Sequence, residues 1–185
     1  MRTVRVGIVG CGKNSDNHLR VYSKTRGVRL VAVCDKHIVR AREKADEYRA
    51  ERAFTDYESM LNLDLDLVDI ITPTSTHAQL SLSALEAGNN VLVEKPMAVS
   101  SKECKAMIDA AKRNGRTLCV VHNKLFFDSI RQTKNAVDRE GLRVSRTRVS
   151  HYFTHAHPGF LEKWRLDDES GGHSLGCFGS PRLHN

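Results

Sequence analysis

The sequence has no apolar run long enough to cross a membrane, and it does not begin with a basic-then-apolar segment. The first absence excludes a transmembrane helix, which needs about 20 consecutive apolar residues. The second predicts that the chain carries no secretory leader. The five cysteines are widely spaced and form no CxxC pair, so no metal site is predicted. Their odd number predicts reduced thiols in a cytoplasmic protein rather than a disulfide framework.

The positive charge of the chain is concentrated in one region. The formal net charge is +7, and residues 111–150 hold ten Lys or Arg against three Asp or Glu, which accounts for all of it. A basic face can attract nucleic acid or a phosphorylated ligand. No nucleic-acid motif accompanies these charges, so we interpret them as a solvated helix and strand. A basic nucleic-acid-binding protein stays an alternative.

The first sixteen or so residues predict a strand, a glycine turn and the start of a helix. Residues 4–9 are rich in β-branched apolar side chains, and Gly10, Cys11 and Gly12 interrupt them. In a dinucleotide-binding unit the first glycine permits the tight turn and the second lets the backbone approach a pyrophosphate. The third position of that fingerprint is Ser15 instead of Gly or Ala. The signal is therefore imperfect when it is taken alone.

A carboxylate follows the second predicted strand at the spacing that ribose recognition requires. Residues 28–34 form this strand, and Asp35 lies 20 positions beyond Ser15. A carboxylate there binds the ribose hydroxyls of NAD and disfavours the additional phosphate of NADP. Lys36 and Arg40 are close in sequence and weaken the second argument, so NAD is predicted and NADP stays possible. The alternative is an Asp that caps the following helix.

Strands and helices alternate as far as residue 121. Further apolar strands are predicted at residues 67–72, 90–93 and 117–121. Capping-box pairs begin two of the intervening helices, at Thr76 with Gln79 and at Ser100 with Glu103. This alternation with short connections predicts an α/β fold, a Rossmann-type doubly wound parallel sheet.

Several polar or turn residues fall at the carboxyl ends of these strands, where doubly wound sheets bind their ligands. They are Gly10, Asp35, Thr72, Glu94 and His122. We therefore expect them to surround one site.

The chain changes character after residue 121. A helix is predicted over residues 126–140, followed by a strand at 142–153 that is far more polar than the earlier ones. Such a strand suits a sheet with one solvated face. We predict a dinucleotide-binding domain at 1–122 and, at 123–185, the incomplete start of an α+β substrate domain.

The combination of motifs resembles the Gfo/Idh/MocA family of NAD(P)-dependent oxidoreductases, which act on sugars, sugar derivatives and inositols. The matching pieces occur in the family's order. They are Gly10-Cys11-Gly12, His18, Asp35, Thr72-Pro73 with His77, residues 84–88, Glu94-Lys95-Pro96, His122-Asn123, Trp164-Arg165 and Gly171-Gly172.

The resemblance implies a set of site residues. The cofactor-binding residues would be Gly10, Cys11, Gly12, Lys13, Asn14, Asp35, Lys36, Thr72, Pro73, Thr74, His77, Glu94 and Lys95. Lys95 would also be the catalytic residue, because a lysine beside the nicotinamide can hydrogen-bond the reacting hydroxyl. Asn123, Trp164 and Arg165 would join it in binding a small sugar-like substrate. The alternative for Lys95 is a surface lysine paired with Glu94.

The match to the family pattern fails near the C-terminus. Cys177 stands where the family has an Asp, and Pro181 stands where it has a proton-transferring His. Proline can neither accept nor donate a proton. The expectation is a chain that binds NAD with impaired turnover, either because it is truncated or frame-disrupted or because it has lost catalysis. A non-catalytic nicotinamide-nucleotide-binding or redox-sensing module is the second reading, and the homo-oligomer typical of the family is left open.

Overall fold

The structure, a computed structural model, describes residues 2–141. The chain divides after Val120 into two units, Met1–Val120 and Val121–Asn185. The domain limits predicted from the sequence stay a prediction, and the polar strand predicted at 142–153 lies outside the described residues.

The first unit alternates strands and helices along its whole length. Its elements are β1 (Val4–Val9), α1 (Ser15–Lys24), β2 (Val28–Cys34), α2 (Ile38–Tyr48), β3 (Arg52–Phe54), α3 (Tyr57–Leu61), β4 (Leu67–Ile70), a 3-10 turn (Thr74–Thr76), α4 (His77–Glu86), β5 (Asn90–Val93), α5 (Ser101–Arg113) and β6 (Leu118–Val120). The described part of the second unit holds a 3-10 turn (Asn123–Phe126) and α6 (Asp128–Glu140).

All six strands form one parallel sheet in the order β3-β2-β1-β4-β5-β6. The chain runs outward from β1 to β3 and then returns to the other side of β1, so the order reverses between β1 and β4. Doubly wound sheets bind ligands at such a reversal, at the carboxyl ends of the strands. The topology confirms the predicted doubly wound α/β fold.

The sheet buries an apolar layer on each face. On one face, Leu19 of α1 and Ala41 of α2 pack against Ile8 of β1. On the other face, Met60, Leu85 and Met107 bring α3, α4 and α5 onto the sheet. Each of these six side chains is fully buried. Burial on both faces explains why the central strands read as continuous apolar runs.

The sequence does not predict the short strand β3. Its three residues, Arg52–Phe54, pair with Ala32, Val33 and Cys34 at the edge of the sheet. A three-residue strand that begins with an arginine is too short to show the apolar run or the alternation that predicts a strand.

One half of the capping box predicted at Ser100 forms, while the Glu103 carboxylate accepts the backbone N–H of Val99 at 3.1 Å instead of that of Ser100. Ser100 Oγ accepts a hydrogen bond from the backbone nitrogen of Glu103 at 3.2 Å. The prediction for Thr76 is wrong, because this residue makes no side-chain cap. The chain enters α4 through a 3-10 turn. The Thr76 hydroxyl oxygen instead lies 2.7 Å from Thr72 Oγ1 and 2.8 Å from the Pro73 carbonyl oxygen, and its single O–H donates to one of them.

None of the helices in the described part of the chain is long and apolar enough to cross a membrane. The four cysteines that the structure describes there are free thiols: Cys11, Cys34, Cys104 and Cys119.

Candidate functional site

Gly10 occupies a position that a side chain cannot share. Its φ is +99°, and a Cβ built on it would lie 2.7 Å from the carbonyl oxygen of Ile71. Its backbone nitrogen donates to the Cys34 carbonyl at 2.8 Å. Gly10 therefore brings the end of β1 close to the ends of both β2 and β4, as the first glycine of the fingerprint should.

Gly12 and Ser15 complete the turn into α1. A Cβ on Gly12 would meet no atom within 4 Å, so this glycine faces open space. Ser15 is fully buried, and its hydroxyl donates to the Gly12 carbonyl at 2.6 Å. The side chain that departs from the fingerprint thus closes the turn from the inside. The turn leaves a cradle before the ten-residue helix α1, where the positive end of the helix dipole favours an anion.

Asp35 lies against the glycine turn. One carboxylate oxygen accepts the backbone N–H of Cys11 and the other accepts that of His37, both at 2.9 Å. The residue is 8% exposed. A carboxylate has about four lone-pair sites, so two hydrogen bonds leave acceptor capacity for a ribose hydroxyl. The alternative of a cap on α2 is met in part, because His37 is the N-cap residue of that helix and its backbone N–H is the one that Asp35 accepts.

His77 joins the exits of β4 and β5. It is 1% exposed, with Nε2 2.9 Å from the Thr72 carbonyl oxygen and Nδ1 2.9 Å from that of Pro96. Burial lowers the pKa of His77, although the two carbonyls partly oppose this. The ring thus lies between the β4 exit and the turn that carries Lys95, and since a neutral imidazole has one N–H, it donates to one of the two carbonyls.

A charged cluster lies behind the turn at the end of β5. His18 of α1 places Nδ1 2.8 Å from Asp69 Oδ2 and Nε2 3.3 Å from Glu94 Oε1. The Tyr22 hydroxyl donates to Asp69 Oδ2 at 2.9 Å. The other Glu94 oxygen accepts the Lys95 backbone N–H at 3.0 Å. The cluster therefore links α1, β4 and the Lys95 turn.

The carboxylates of this cluster control its ionisation. Burial opposes charge on His18, but hydrogen bonds and attraction from Asp69 and Glu94 outweigh it and raise the pKa of His18 to about 9. Burial also favours a neutral Glu94, yet the hydrogen bond from His18 and the charge of Lys95 prevail and lower the pKa of Glu94. His18 is thus an imidazolium facing carboxylates at neutral pH.

The sequence does not predict the roles of Asp69 and Tyr22, and it identifies His18 only as a residue that matches the family pattern. The available signal was a single acid inside the apolar strand LVDI, where a fully buried carboxylate demands partners.

The predicted site residues divide into two groups. The first group lies at the carboxyl edge of the sheet: Gly12, Lys13, Asn14, Lys36 and Pro73 are exposed, Thr72 and Lys95 are half-buried, and Gly10, Cys11, Asp35, Thr74, His77 and Glu94 are the buried or turn residues. The predicted substrate residue Asn123 is exposed at the start of the second unit. Trp164 and Arg165, together with Cys177 and Pro181, lie outside the described residues. Within residues 2–141, no cluster of three or more His, Cys, Asp or Glu side chains could hold a metal ion.

The parallel sheet, the glycine turn before α1 and the carboxylate after β2 define a dinucleotide-binding Rossmann domain. Residues 4–122 match the model of GFO_IDH_MocA, described as an oxidoreductase family with an NAD-binding Rossmann fold. The chain belongs to this family, which confirms the resemblance seen in the sequence.

The chain is similar to two curated relatives and to one solved structure. Inositol 2-dehydrogenase of Salmonella typhimurium is 35% identical over 140 residues, which are 74% of this chain and 42% of the relative. A 1-carboxy-3-chloro-3,4-dihydroxycyclohexa-1,5-diene dehydrogenase of Comamonas testosteroni is 37% identical over 90% of this chain and 41% of its own length. The crystal structure of scyllo-inositol dehydrogenase from Lactobacillus casei, with NAD(H) and scyllo-inositol bound, superposes with a TM-score of 0.71 at 26% identity. That match covers 76% of this chain and 42% of that one. The chain spans about two fifths of the length of the relatives it matches.

Proposed function

We propose that this chain functions as an NAD-dependent oxidoreductase that acts on a hydroxyl of a sugar, sugar derivative or inositol. The observation that carries the proposal is the meeting of three features at one edge of the sheet. They are the open cradle at Gly12, the carboxylate of Asp35 and the turn that bears Lys95. The family and the inositol dehydrogenases among its relatives support the substrate class.

The residues of the first unit fit a dinucleotide. The backbone at Gly12 would approach the pyrophosphate, and the positive end of the α1 dipole would favour its negative charge. Asp35 would accept a ribose hydroxyl, held in place by Cys11 and His37. The nicotinamide, when bound, supplies the hydride chemistry. Lys36 and Arg40 lie exposed beyond Asp35, so NADP is a possible second cofactor.

Lys95 is the proposed catalytic residue. It follows β5 directly, its backbone N–H is held by Glu94, and the Lys95–Pro96 peptide is cis. An ammonium at this strand end would hydrogen-bond the substrate hydroxyl and stabilise the negative charge that develops on its oxygen. Asn123, Trp164 and Arg165 are the proposed further substrate contacts.

Two measurements on the whole chain test the proposal. The first is NADH binding followed by fluorescence, and the second is hydride transfer from a panel of inositols and sugars. Lys95→Ala should lower the transfer rate at saturating NADH at least tenfold. Lys102→Ala, on the exposed start of α5, is the matched control and should leave NADH binding and hydride transfer unchanged. Absence of NADH binding at millimolar concentration would contradict the proposal.

A non-catalytic nicotinamide-nucleotide-binding module is the second candidate, favoured by Cys177 and Pro181 at the two positions where the family pattern has Asp and His. NADH binding without hydride transfer on the whole panel would select it. Thiol-based redox sensing by the glycine turn is disfavoured, because burial and the nearby Asp35 raise the pKa of Cys11 to about 12 and that of Cys34 to about 11. The nucleic-acid alternative gains no support from the relatives.

The proposal also covers the cellular location and the oligomeric state of the chain. A cytoplasmic location agrees with four free cysteines in the described part of the chain. A homo-oligomer is the family-typical assembly, and mass measurement in solution decides whether this chain forms one.

A further inference from the structure

His18 is the point at which three separate elements of the first unit are joined. Its ring reaches Asp69 on β4 at 2.8 Å and Glu94 after β5 at 3.3 Å, while its backbone belongs to α1, the helix that begins at the cradle. The His18 side chain is 13% exposed and that of Asp69 is 0% exposed. The cluster lies inside the molecule, behind the proposed cofactor site.

The number of protons on the ring decides how many of these contacts are hydrogen bonds. An ionised carboxylate only accepts, and a neutral imidazole has one N–H. Both contacts are therefore hydrogen bonds only when His18 carries protons on both nitrogens. Asp69 Oδ1 is buried without a hydrogen-bond partner among the described residues, so compensation of that carboxylate depends on His18 and on the Tyr22 hydroxyl.

We propose that doubly protonated His18 is a positioning residue that fixes the Glu94–Lys95 turn to helix α1, and thereby sets the affinity for the nicotinamide nucleotide. The effect on nucleotide affinity rests on the proposed function, whereas the attachment of the turn to α1 does not. Glu94 transmits the effect, because its Oε1 faces His18 Nε2 while its Oε2 accepts the Lys95 backbone N–H. A proton on His18 thus contributes to the position of Lys95, which lies 77 positions later in the chain.

Loss of that proton should remove the hydrogen bond from His18 to Glu94, which keeps the one from Asn14, and should preserve the bond to Asp69. The contact to Asp69 is the shorter one, and Asp69 is more deeply buried, so a neutral ring retains its single N–H on Nδ1. The lone pair on Nε2 then faces the Glu94 carboxylate, and this contact becomes repulsive. The pKa of about 9 for His18 places the change in alkaline solution. The titratable groups that face the ring are Asp69 from β4 and Glu94 from the β5 exit, with Tyr22 and Lys95 behind them.

The direct test follows the Glu94 carboxyl carbon by carbon-detected NMR in the nucleotide-free whole chain. In the unaltered protein its shift should titrate with a midpoint near the pKa of His18. His18→Asn places an amide N–H where Nδ1 was, keeps the contact to Asp69 and removes the one to Glu94, so this titration should vanish. Tyr22→Phe removes the other hydrogen bond to Asp69 and should preserve the titration. A Glu94 signal that titrates identically in the His18→Asn variant would overturn the inference.

A second variant covers the case in which His18→Asn fails to fold. Glu94→Gln leaves His18 and Asp69 in place and removes one of the two charges that favour the imidazolium. The midpoint of the His18 ring nitrogens, read by NMR after labelling histidine with ¹⁵N, should then fall by about one pH unit. An unchanged midpoint would contradict the link between the two residues.

The functional arm measures the Kd for NADH between pH 7 and pH 10.5. In the unaltered protein and in Tyr22→Phe, Kd should rise about tenfold across the His18 transition. In His18→Asn it should be raised by a similar factor at pH 7 and lack this transition. Weak or absent NADH binding in every protein at every pH would overturn the proposed function, whereas the Glu94 titration decides separately whether His18 holds the turn. Equal pH profiles with and without His18 would overturn the effect on affinity.

Discussion

Asp35 Oδ2 accepts the backbone N–H of Cys11 at 2.9 Å, so the residue proposed to bind the ribose also holds the glycine turn. The same carboxylate receives the His37 N–H on its other oxygen. Replacing this carboxylate should therefore weaken the glycine turn as well as the binding of the cofactor.

Asp35→Asn should lower the free energy of unfolding by about 1–3 kcal/mol, because an amide nitrogen replaces one acceptor and faces a buried N–H. The Kd for NADH should rise at least tenfold in the same protein. Denaturant unfolding and fluorescence titration measure the two effects. Asp46→Asn, exposed on α2, makes the same chemical change away from the turn and should alter neither quantity.

The two glycines of the turn should separate folding from binding. Gly10→Ala places a methyl group 2.7 Å from the Ile71 carbonyl at a φ of +99°. The backbone conformation alone costs roughly 1–3 kcal/mol, and the close contact adds to it. Thermal unfolding should therefore show a clear loss of stability.

Gly12→Ala should leave the thermal midpoint nearly unchanged, since its Cβ would meet no atom within 4 Å. The methyl group would occupy the space proposed for the pyrophosphate, so the Kd for NADH should rise at least tenfold. A Gly12→Ala protein with normal affinity would place the phosphates elsewhere.

The strands that carry the site could be predicted because central parallel strands are apolar on both faces. The glycine turn and Asp35 could be placed by their spacing along the chain. Two features escaped prediction for physical reasons. Spacing cannot show that Ser15 turns its hydroxyl inward to the Gly12 carbonyl. Similarly, the contact of His18 with Asp69 joins residues 51 positions apart.

Ser15 provides a test of that inward contact. Ser15→Ala changes the size of this buried side chain little but removes its hydrogen bond to the Gly12 carbonyl. That carbonyl still accepts the backbone N–H of residue 15 at 2.9 Å. We expect a loss of about 1 kcal/mol in the free energy of unfolding, the usual value for one hydrogen bond. Ser23→Ala, whose exposed hydroxyl contacts a carbonyl of its own helix, should cost less. Equal effects in the two variants would show that the Ser15 contact adds nothing to the turn.

The ionisation of His18 should also appear in the stability of the protein. Its pKa rises from an ordinary 6.5 to about 9 on folding, so between these values the folded chain binds more protons than the unfolded one. Stability from this group is therefore full below about pH 6.5 and is lost as the pH rises through 9. One pKa unit corresponds to about 1.4 kcal/mol, which gives a total of order 3 kcal/mol for this well-buried ring.

Urea unfolding at a series of pH values should show this decline in the unaltered chain. Most of the decline should disappear in His18→Asn, where the groups that titrate elsewhere in the molecule are unchanged. Parallel curves for the two proteins would mean that His18 is already neutral at pH 7.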